Sequence, residues 1–93
     1  MSVVIVGGHD RMVCIYKDVC KEFRCKSKVF TQMPSNLKGK IGSPDLLILF
    51  TSTMSHKMLR CAVETANKNK IKIARCHTSS TAALKMILEE HCN

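Results

Sequence analysis

Four short runs of β-branched and aliphatic residues alternate with segments whose apolar residues recur every three or four positions. The runs cover residues 2–6, 28–31, 46–51 and 71–75. Runs of this length are typical of buried strands, and the spacing between them is typical of amphipathic helices. Strands that alternate with helices pair in parallel through right-handed crossovers. We therefore expect a mainly parallel, four-stranded sheet.

Helix signals fill the gaps between the runs. Asp10 is the expected N-cap of a helix that ends near Arg24, and Ser55 is the expected N-cap of the next long helix. The hydroxyls at 78–80 offer caps for a last helix, and residues 36–40 suit a single helical turn. The pattern predicts one small doubly wound α/β domain, residues 1–93, of the Rossmann/flavodoxin type. Its expected strand order is 2-1-3-4, with 46–51 as the central strand.

The composition excludes several classes of protein. No apolar run approaches the roughly 20 residues that span a bilayer, and no secretory signal is expected at the start of the chain, so a cytoplasmic protein without membrane contact is predicted. The net charge of +8 favours anionic partners, but the lysines are dispersed and only four aromatic residues could stack on bases. Nucleic-acid binding is therefore not favoured.

Cysteine is unusually frequent in the chain. The six cysteines stand at positions 14, 20, 25, 61, 76 and 92, and no two have the Cys-x-x-Cys spacing of zinc ribbons, redox sites or covalent haem attachment. Disulfide-rich scaffolds belong to small secreted domains with little regular structure. We expect reduced cysteines that serve mostly as small apolar residues.

Three predicted strands are followed by loops rich in histidine and hydroxyl side chains. These loops, residues 7–11, 51–57 and 76–81, carry His9, His56 and His77. Ligands of open parallel sheets bind outside the carboxyl ends of the strands, so the three loops are expected to converge there. Hydroxyl-rich helix starts beside Arg11 and Lys57 favour an anion, although helix capping alone also explains the hydroxyls.

Several catalytic and cofactor sites are excluded or disfavoured by the same loops. Gly7 and Gly8 lack the third glycine and the later acid of a dinucleotide fingerprint, and no Gly-Lys-Ser/Thr phosphate loop is present. Nucleophilic catalysis lacks an orienting acid unless Asp10 serves. The three histidines could bind a metal, although no histidine pair has i,i+4 spacing. We expect a binding protein, not an enzyme.

Several motifs together resemble a bacterial family of small proteins, catalogued as the domain of unknown function 2325. They are residues 7–12, 28–34, 43–45, 55–58 and 77–80, and the resemblance covers nearly the whole chain. The Gly-Gly-His and Ser-His signatures at this separation are its most specific part. The resemblance implies a compact α/β protein that binds b-type haem non-covalently and holds dioxygen or another diatomic gas, as a carrier or sensor.

The resemblance also implies a set of site residues. His56, in the Ser-His signature, is the preferred iron ligand, with His9 and then His77 as alternatives. Hydroxyls of the neighbouring residues 52, 53 and 55 are expected to orient His56. The expected haem contacts are His9, Arg11, Met54, Ser55, His56, Lys57, His77, Ser79 and Ser80. Met12, Phe50 and Met58 could extend the apolar wall beside Met54.

A small core and two open sheet edges predict a homodimer, with exchange of an element between chains as one route. The competing interpretation of the same loops is a small anion-binding or signalling module that acts through a protein partner without a cofactor. A phosphoacceptor role is disfavoured because the first strand lacks the acidic cluster that would hold its metal.

Overall fold

The computed structural model describes residues 1–91, and Cys92 and Asn93 lie outside the described residues. Strands and helices alternate along the chain, with short 3₁₀ turns at Asp10–Met12 and Thr51–Thr53. The elements are β1 (Ser2–Gly7), α1 (Val13–Glu22), β2 (Lys26–Phe30), α2 (Leu37–Ile41), β3 (Leu46–Phe50), α3 (His56–Asn69), β4 (Lys72–Cys76) and α4 (Thr81–His91).

The four strands form one sheet in the order β2-β1-β3-β4, and all three pairs are parallel. Ile5 pairs with Val29 on one side and with Ile48 on the other, and Ile48 pairs in turn with Ala74. The predicted strand order and parallel pairing are confirmed. The chain has a flavodoxin-like α/β arrangement.

Alternate side chains of the sheet point to opposite faces and belong to two separate cores. On one face, Ile5 and Ile48 pack with Tyr16 of α1 and Leu84 of α4. On the other face, the next residues along each strand pack against α2 and α3. Every residue of β3 is buried, which confirms the prediction of a central strand covered on both sides. None of the helices within residues 1–91 is long and apolar enough to cross a bilayer.

Each of the four strands differs from its predicted run by one or two residues at one or both ends, and the starts of β2 and β4 differ for identifiable reasons. β2 begins at Lys26 because the edge strand alternates exposed lysines with half-buried residues, and its register with β1 starts at the pair Ser2–Lys26. β4 begins one residue later than predicted, at Lys72. Ile71 is used instead to end α3, where its N–H donates to the carbonyl of Ala66 at 2.8 Å.

Most of the predicted helix signals are confirmed. Ser55 Oγ accepts from Met58 N at 3.1 Å, and Ser80 Oγ accepts from Ala83 N at the same distance. The short helix α2 forms where one turn was predicted, with Asn36 as its N-cap. The expected capping role of Asp10 is wrong. The 3₁₀ turn begins at Asp10 itself, and the carboxylate is turned toward the loop after β2.

Burial raises the pKa of Cys20 to about 11, against the weaker opposing effect of its hydrogen bond with Ser27. Between the unfolded pKa of 9.0 and this folded value, the unfolded thiol ionises first. The unfolded state is therefore favoured as pH rises through this window. We expect the free energy of unfolding, measured with urea, to fall between pH 9 and 11. The decline should persist in Cys14→Ser, whose thiol is exposed, and be smaller in Cys20→Ala. Equal declines of the free energy of unfolding in both variants would contradict the assignment of this decline to Cys20.

Candidate functional site

The parallel sheet brings the carboxyl ends of all four strands to one side of the molecule. The loops after β1, β3 and β4 therefore lie together, as the sequence predicts, and they carry His9, His56 and His77. We call this side of the molecule the histidine edge. His9 precedes the first 3₁₀ turn, His56 is the first residue of α3, and His77 directly follows β4.

Hydrogen bonds join these loops to one another. Gly8 N donates to Thr53 Oγ1 at 2.6 Å, which connects the loops after β1 and β3. Ser52 N donates to the carbonyl of His77 at 3.3 Å, which connects the loops after β3 and β4. Because each bond links segments far apart in sequence, the three histidines are carried on one hydrogen-bonded framework.

Tyr16 supports the same framework from beneath. Its ring is fully buried and lies 5.4 Å from the ring of Phe50, measured between centroids. Its hydroxyl donates to the carbonyl of Ser79 at 2.6 Å, which fixes the loop between β4 and α4 close to the start of that helix. A Cβ built on Gly8 would lie 2.7 Å from the Tyr16 ring, so the loop after β1 approaches this ring as closely as a glycine permits.

The loop after β2 is a fourth part of this edge, in addition to the three loops predicted from the sequence. The carboxylate of Asp10 accepts hydrogen bonds from Thr31 Oγ1 and, at 2.8 Å, from Gln32 Nε2. These bonds tie the loop after β1 to the end of the neighbouring edge strand. The sequence feature that indicates this contact is the Thr-Gln pair, which directly follows the strand that borders β1.

The three imidazoles are exposed, and within residues 1–91 none of them makes a hydrogen bond. The same described part of the chain holds no group of three or more His, Cys, Asp and Glu side chains that could bind a metal. The three histidines do not form a shared metal site. Each instead presents ring nitrogens that are accessible to an external ligand.

The apolar residues near this edge divide into two groups. Phe50 is fully buried and Met58 is 3% exposed, so both belong to the core and do not form a ligand-facing wall. Met12 and Met54 are half-buried and pack against the two cores from outside. Of the methionines proposed for an apolar wall, these two remain available at the surface.

The polar residues predicted for the site differ in whether their side chains are available to a ligand. Arg11 and Lys57 are exposed, so their charges are available to an anion. The hydroxyls of Ser55 and Ser80 are engaged as helix caps, and Ser79 contributes its carbonyl to Tyr16. Thr53 Oγ1 accepts from Gly8 and donates to the carbonyl of Phe50 at 2.9 Å. Of the three hydroxyls expected to orient His56, only that of Ser52 lacks a hydrogen bond within residues 1–91.

A groove of about 450 Å³ lies elsewhere, between α2 and α3. It is lined by Lys38, Gly39, Glu64, Thr65, Lys68 and Asn69. Lys38 Nζ lies 3.6 Å from Glu64 Oε2 across it, and both side chains are well exposed. The groove borders the second half of α3, whereas His56 begins that helix at the histidine edge.

Replacing Thr53 with valine should weaken the framework of the histidine edge. Valine keeps the shape of threonine but cannot accept the hydrogen bond from Gly8 N. A buried N–H left without a partner costs about 1–3 kcal/mol, and we expect the free energy of unfolding to fall by that amount. Ser52→Ala is the matched control, because its side chain is exposed and its backbone bond to His77 is retained. Urea denaturation measures both variants, and equal stabilities would contradict this assignment.

Comparison with known proteins identifies the family of this chain. The profile of the family described as "Uncharacterized protein conserved in bacteria (DUF2325)" matches residues 2–91. No curated protein and no solved structure gives a match to the chain. The matched span includes all four strands, all four helices and the histidine edge. Because it covers nearly the whole sequence, the chain belongs to this bacterial family.

Proposed function

We propose that this protein is a cytoplasmic, non-enzymatic haem protein that binds b-type haem non-covalently at the histidine edge. Resemblance to the family supplies the identity of the cofactor. The observation that carries the proposal is the placement of three exposed imidazoles, free of hydrogen bonds within residues 1–91, along one edge of the sheet. An iron ligand must offer a neutral imidazole nitrogen that no protein group occupies.

His56 is the proposed iron ligand. It occupies the first position of a 14-residue helix whose start is fixed by the Ser55 cap, so its backbone is held firmly while its ring stays accessible. His9 and His77 lie on more irregular segments and are the alternative ligands. Since the Ser55 and Thr53 hydroxyls are engaged elsewhere, Ser52 is the remaining hydroxyl that could orient the ring.

The charged residues of the edge suit the periphery of a haem group. Arg11 and Lys57 are exposed cations on two of the three loops, and propionate carboxylates pair well with such groups. The start of α4 at Ser80 adds backbone N–H groups to the same side. Met54 offers a half-buried apolar contact between β3 and α3.

When bound, the haem iron would supply a site that takes up dioxygen or another diatomic gas reversibly. The protein's part is to hold one imidazole toward the iron and to set the polarity of the opposite side. His9 is the hydrogen-bond donor that we assign to that opposite side, and Arg11 is a second donor there as the alternative to its pairing with a propionate. His9→Ala is expected to alter gas affinity or autoxidation and to leave haem binding in place.

A homodimer is part of the proposal. The histidines lie at the surface, so one chain covers only part of a flat ligand, and a second copy would cover more of it. The edge strands β2 and β4 also have one side unpaired within the described sheet. Light scattering of the reduced protein should give twice the 10.4 kDa chain mass. A monomer at all workable concentrations would contradict this part.

Titration of the purified protein with haemin tests the proposal. We expect a Soret band distinct from that of free haemin, which saturates at a fixed ratio of haemin to chain. On reduction, the spectrum should change when dioxygen or carbon monoxide is admitted and return when the gas is removed. A protein that stays colourless and shows only the free-haemin spectrum would contradict the proposal.

The same colourless outcome would favour the second candidate, an anion-binding or signalling module that acts through a protein partner. Its supporting observation is that Arg11, Lys57 and the starts of α3 and α4 share one edge, where Asp10 is engaged by Thr31 and Gln32. Binding of phosphate to the haem-free protein, lost in Lys57→Ala, would support this alternative.

A further inference from the structure

The end of α1 brings two cysteines together. Cys25 N donates to the carbonyl of Cys20 at 2.9 Å, and Arg24 N donates to the carbonyl of Lys21 at 2.9 Å. Arg24 adopts the left-handed conformation, with φ of 59°. This is a Schellman motif, which is frequently accompanied by packing between the residues at the positions of Cys20 and Cys25. Both side chains belong to the same core.

The other long helix that leads into a strand ends in the same way, with different residues. At the end of α3, Ile71 N donates to the carbonyl of Ala66 at 2.8 Å, and Lys70 has φ of 55°. Ala66 and Ile71 are both buried in the core between the sheet and α3. An aliphatic pair is therefore sufficient to pack this motif, and the two thiols of α1 bring a chemistry that packing does not require.

The remaining described cysteines are placed apart from this pair. Cys20 and Cys25 are 0% and 8% exposed in the core beneath α1. Cys14 is exposed in the first turn of α1, and Cys61 lies in α3 on the opposite face of the sheet. Cys76 packs against the same core as the pair but ends β4, at the carboxyl ends of the strands, whereas Cys25 directly precedes the start of β2. The backbone bond from Cys25 to Cys20 brings the two residues together, and the Cys25 thiol is near enough to add to the effect of burial in raising the pKa of Cys20. A disulfide requires such closeness.

We propose that Cys20 and Cys25 form an oxidisable dithiol that closes to an intramolecular disulfide in the presence of a low-molecular-weight disulfide. This inference does not depend on haem binding. It assigns a redox modification to the junction between α1 and β2. The junction is a helix end, where local opening exposes buried groups more readily than in the sheet.

The reaction proceeds in two exchanges. The Cys25 thiolate attacks one sulfur of the small disulfide, whose S–S bond breaks and releases one small thiolate. The Cys20 thiolate then attacks Cys25 Sγ, and the second small thiolate leaves. The two protons lost by the cysteines go to the two leaving thiolates. Two cysteines are thus oxidised by two electrons, and one small disulfide is reduced to two thiols.

The second exchange is expected to limit the rate. Burial raises the pKa of Cys20, so only a small fraction of this thiol is ionised at neutral pH. Below that pKa the thiolate fraction rises about tenfold per pH unit, and the rate of ring closure should rise with it. The disulfide is therefore expected to form slowly at pH 7 and much faster at pH 8 to 9.

Oxidised glutathione is the probe, applied to the reduced, folded full chain and followed by trypsin digestion and mass spectrometry. Trypsin separates all six cysteines, and it places Cys20 in peptide 18–21 and Cys25 in peptide 25–26. These two peptides joined by a disulfide should be the main cross-linked product. Their initial rate of formation should rise about tenfold from pH 7 to pH 8. Cys14→Ser should give the same product, and Cys25→Ser should give none.

The inference is overturned if Cys25 accumulates as a mixed disulfide with glutathione while the joined peptides are absent. It is also overturned if the joined peptides appear in guanidinium chloride but not in the folded protein. Cross-links spread evenly among the cysteines of the folded protein would contradict the pairing as well. The unmodified chain and Cys14→Ser are sufficient to decide the test. The test therefore remains valid even if Cys25→Ser fails to fold.

Discussion

Replacing Gly8 with alanine is expected to cost about 2–5 kcal/mol of the free energy of unfolding. Gly8 has φ of +85°, which an alanine adopts only with strain. The added Cβ would also lie 2.7 Å from Cε2 and 2.8 Å from the hydroxyl of Tyr16. The tyrosine cannot move aside easily, because its ring is fully buried and its hydroxyl is bonded to Ser79. Urea denaturation of the two proteins measures the loss.

Comparison with Gly42→Ala separates the cost of backbone strain in Gly8→Ala from the cost of its steric clash with Tyr16. Gly42 also has a positive φ, of +64°, but a Cβ there would have no atom within 4 Å. Its cost should therefore be limited to backbone strain, about 1–3 kcal/mol. Gly8→Ala should be the more destabilising variant. Equal losses, or a smaller loss for Gly8→Ala, would show that Tyr16 gives way and does not hold the loop after β1.

The fold of this chain could be predicted from sequence because its signals are local and agree with one another. The buried run in β3 and the hydroxyl caps Ser55 and Ser80 each specify an element without reference to the rest of the chain. The misplaced strand boundaries depend on tertiary structure. Ile71 looks like a strand residue until its role in ending α3 is known, and Lys26 joins β2 only through pairing with β1.

The candidate site could be predicted only in outline. Parallel topology is enough to place His9, His56 and His77 at one edge. Whether a hydroxyl is free or already bonded depends on contacts between distant loops, as with Thr53, which bonds to Gly8 45 residues away. The roles of Asp10 and Thr31 were missed for the same reason, since their bond spans 21 residues.

His56→Ala is expected to abolish the Soret band of the reconstituted protein or to shift it strongly. The substitution removes the proposed iron ligand and little else, since the imidazole is exposed and makes no hydrogen bond within residues 1–91. Alanine is also a good helix former, so α3 should retain its start at the Ser55 cap. The far-ultraviolet circular dichroism of the variant should therefore match that of the unmodified protein.

His91→Ala is the matched control, because this histidine lies at the far end of α4, away from the carboxyl ends of the strands. Both variants lose one imidazole, and only one of them loses a group of the histidine edge. His9→Ala distinguishes the two sides of the proposed haem group. If His9→Ala loses the Soret band while His56→Ala retains it, His9 is the ligand and the two sides are exchanged.

Absorbance titration of the unmodified protein, His56→Ala and His91→Ala with haemin, run in parallel, tests the assignment of haem to the histidine edge most directly. We predict the same saturable Soret band for the unmodified protein and His91→Ala, and its loss or strong shift in His56→Ala. An unchanged band in His56→Ala would contradict the ligand assignment. If His9→Ala and His77→Ala also kept that band, haem would not be bound at the histidine edge.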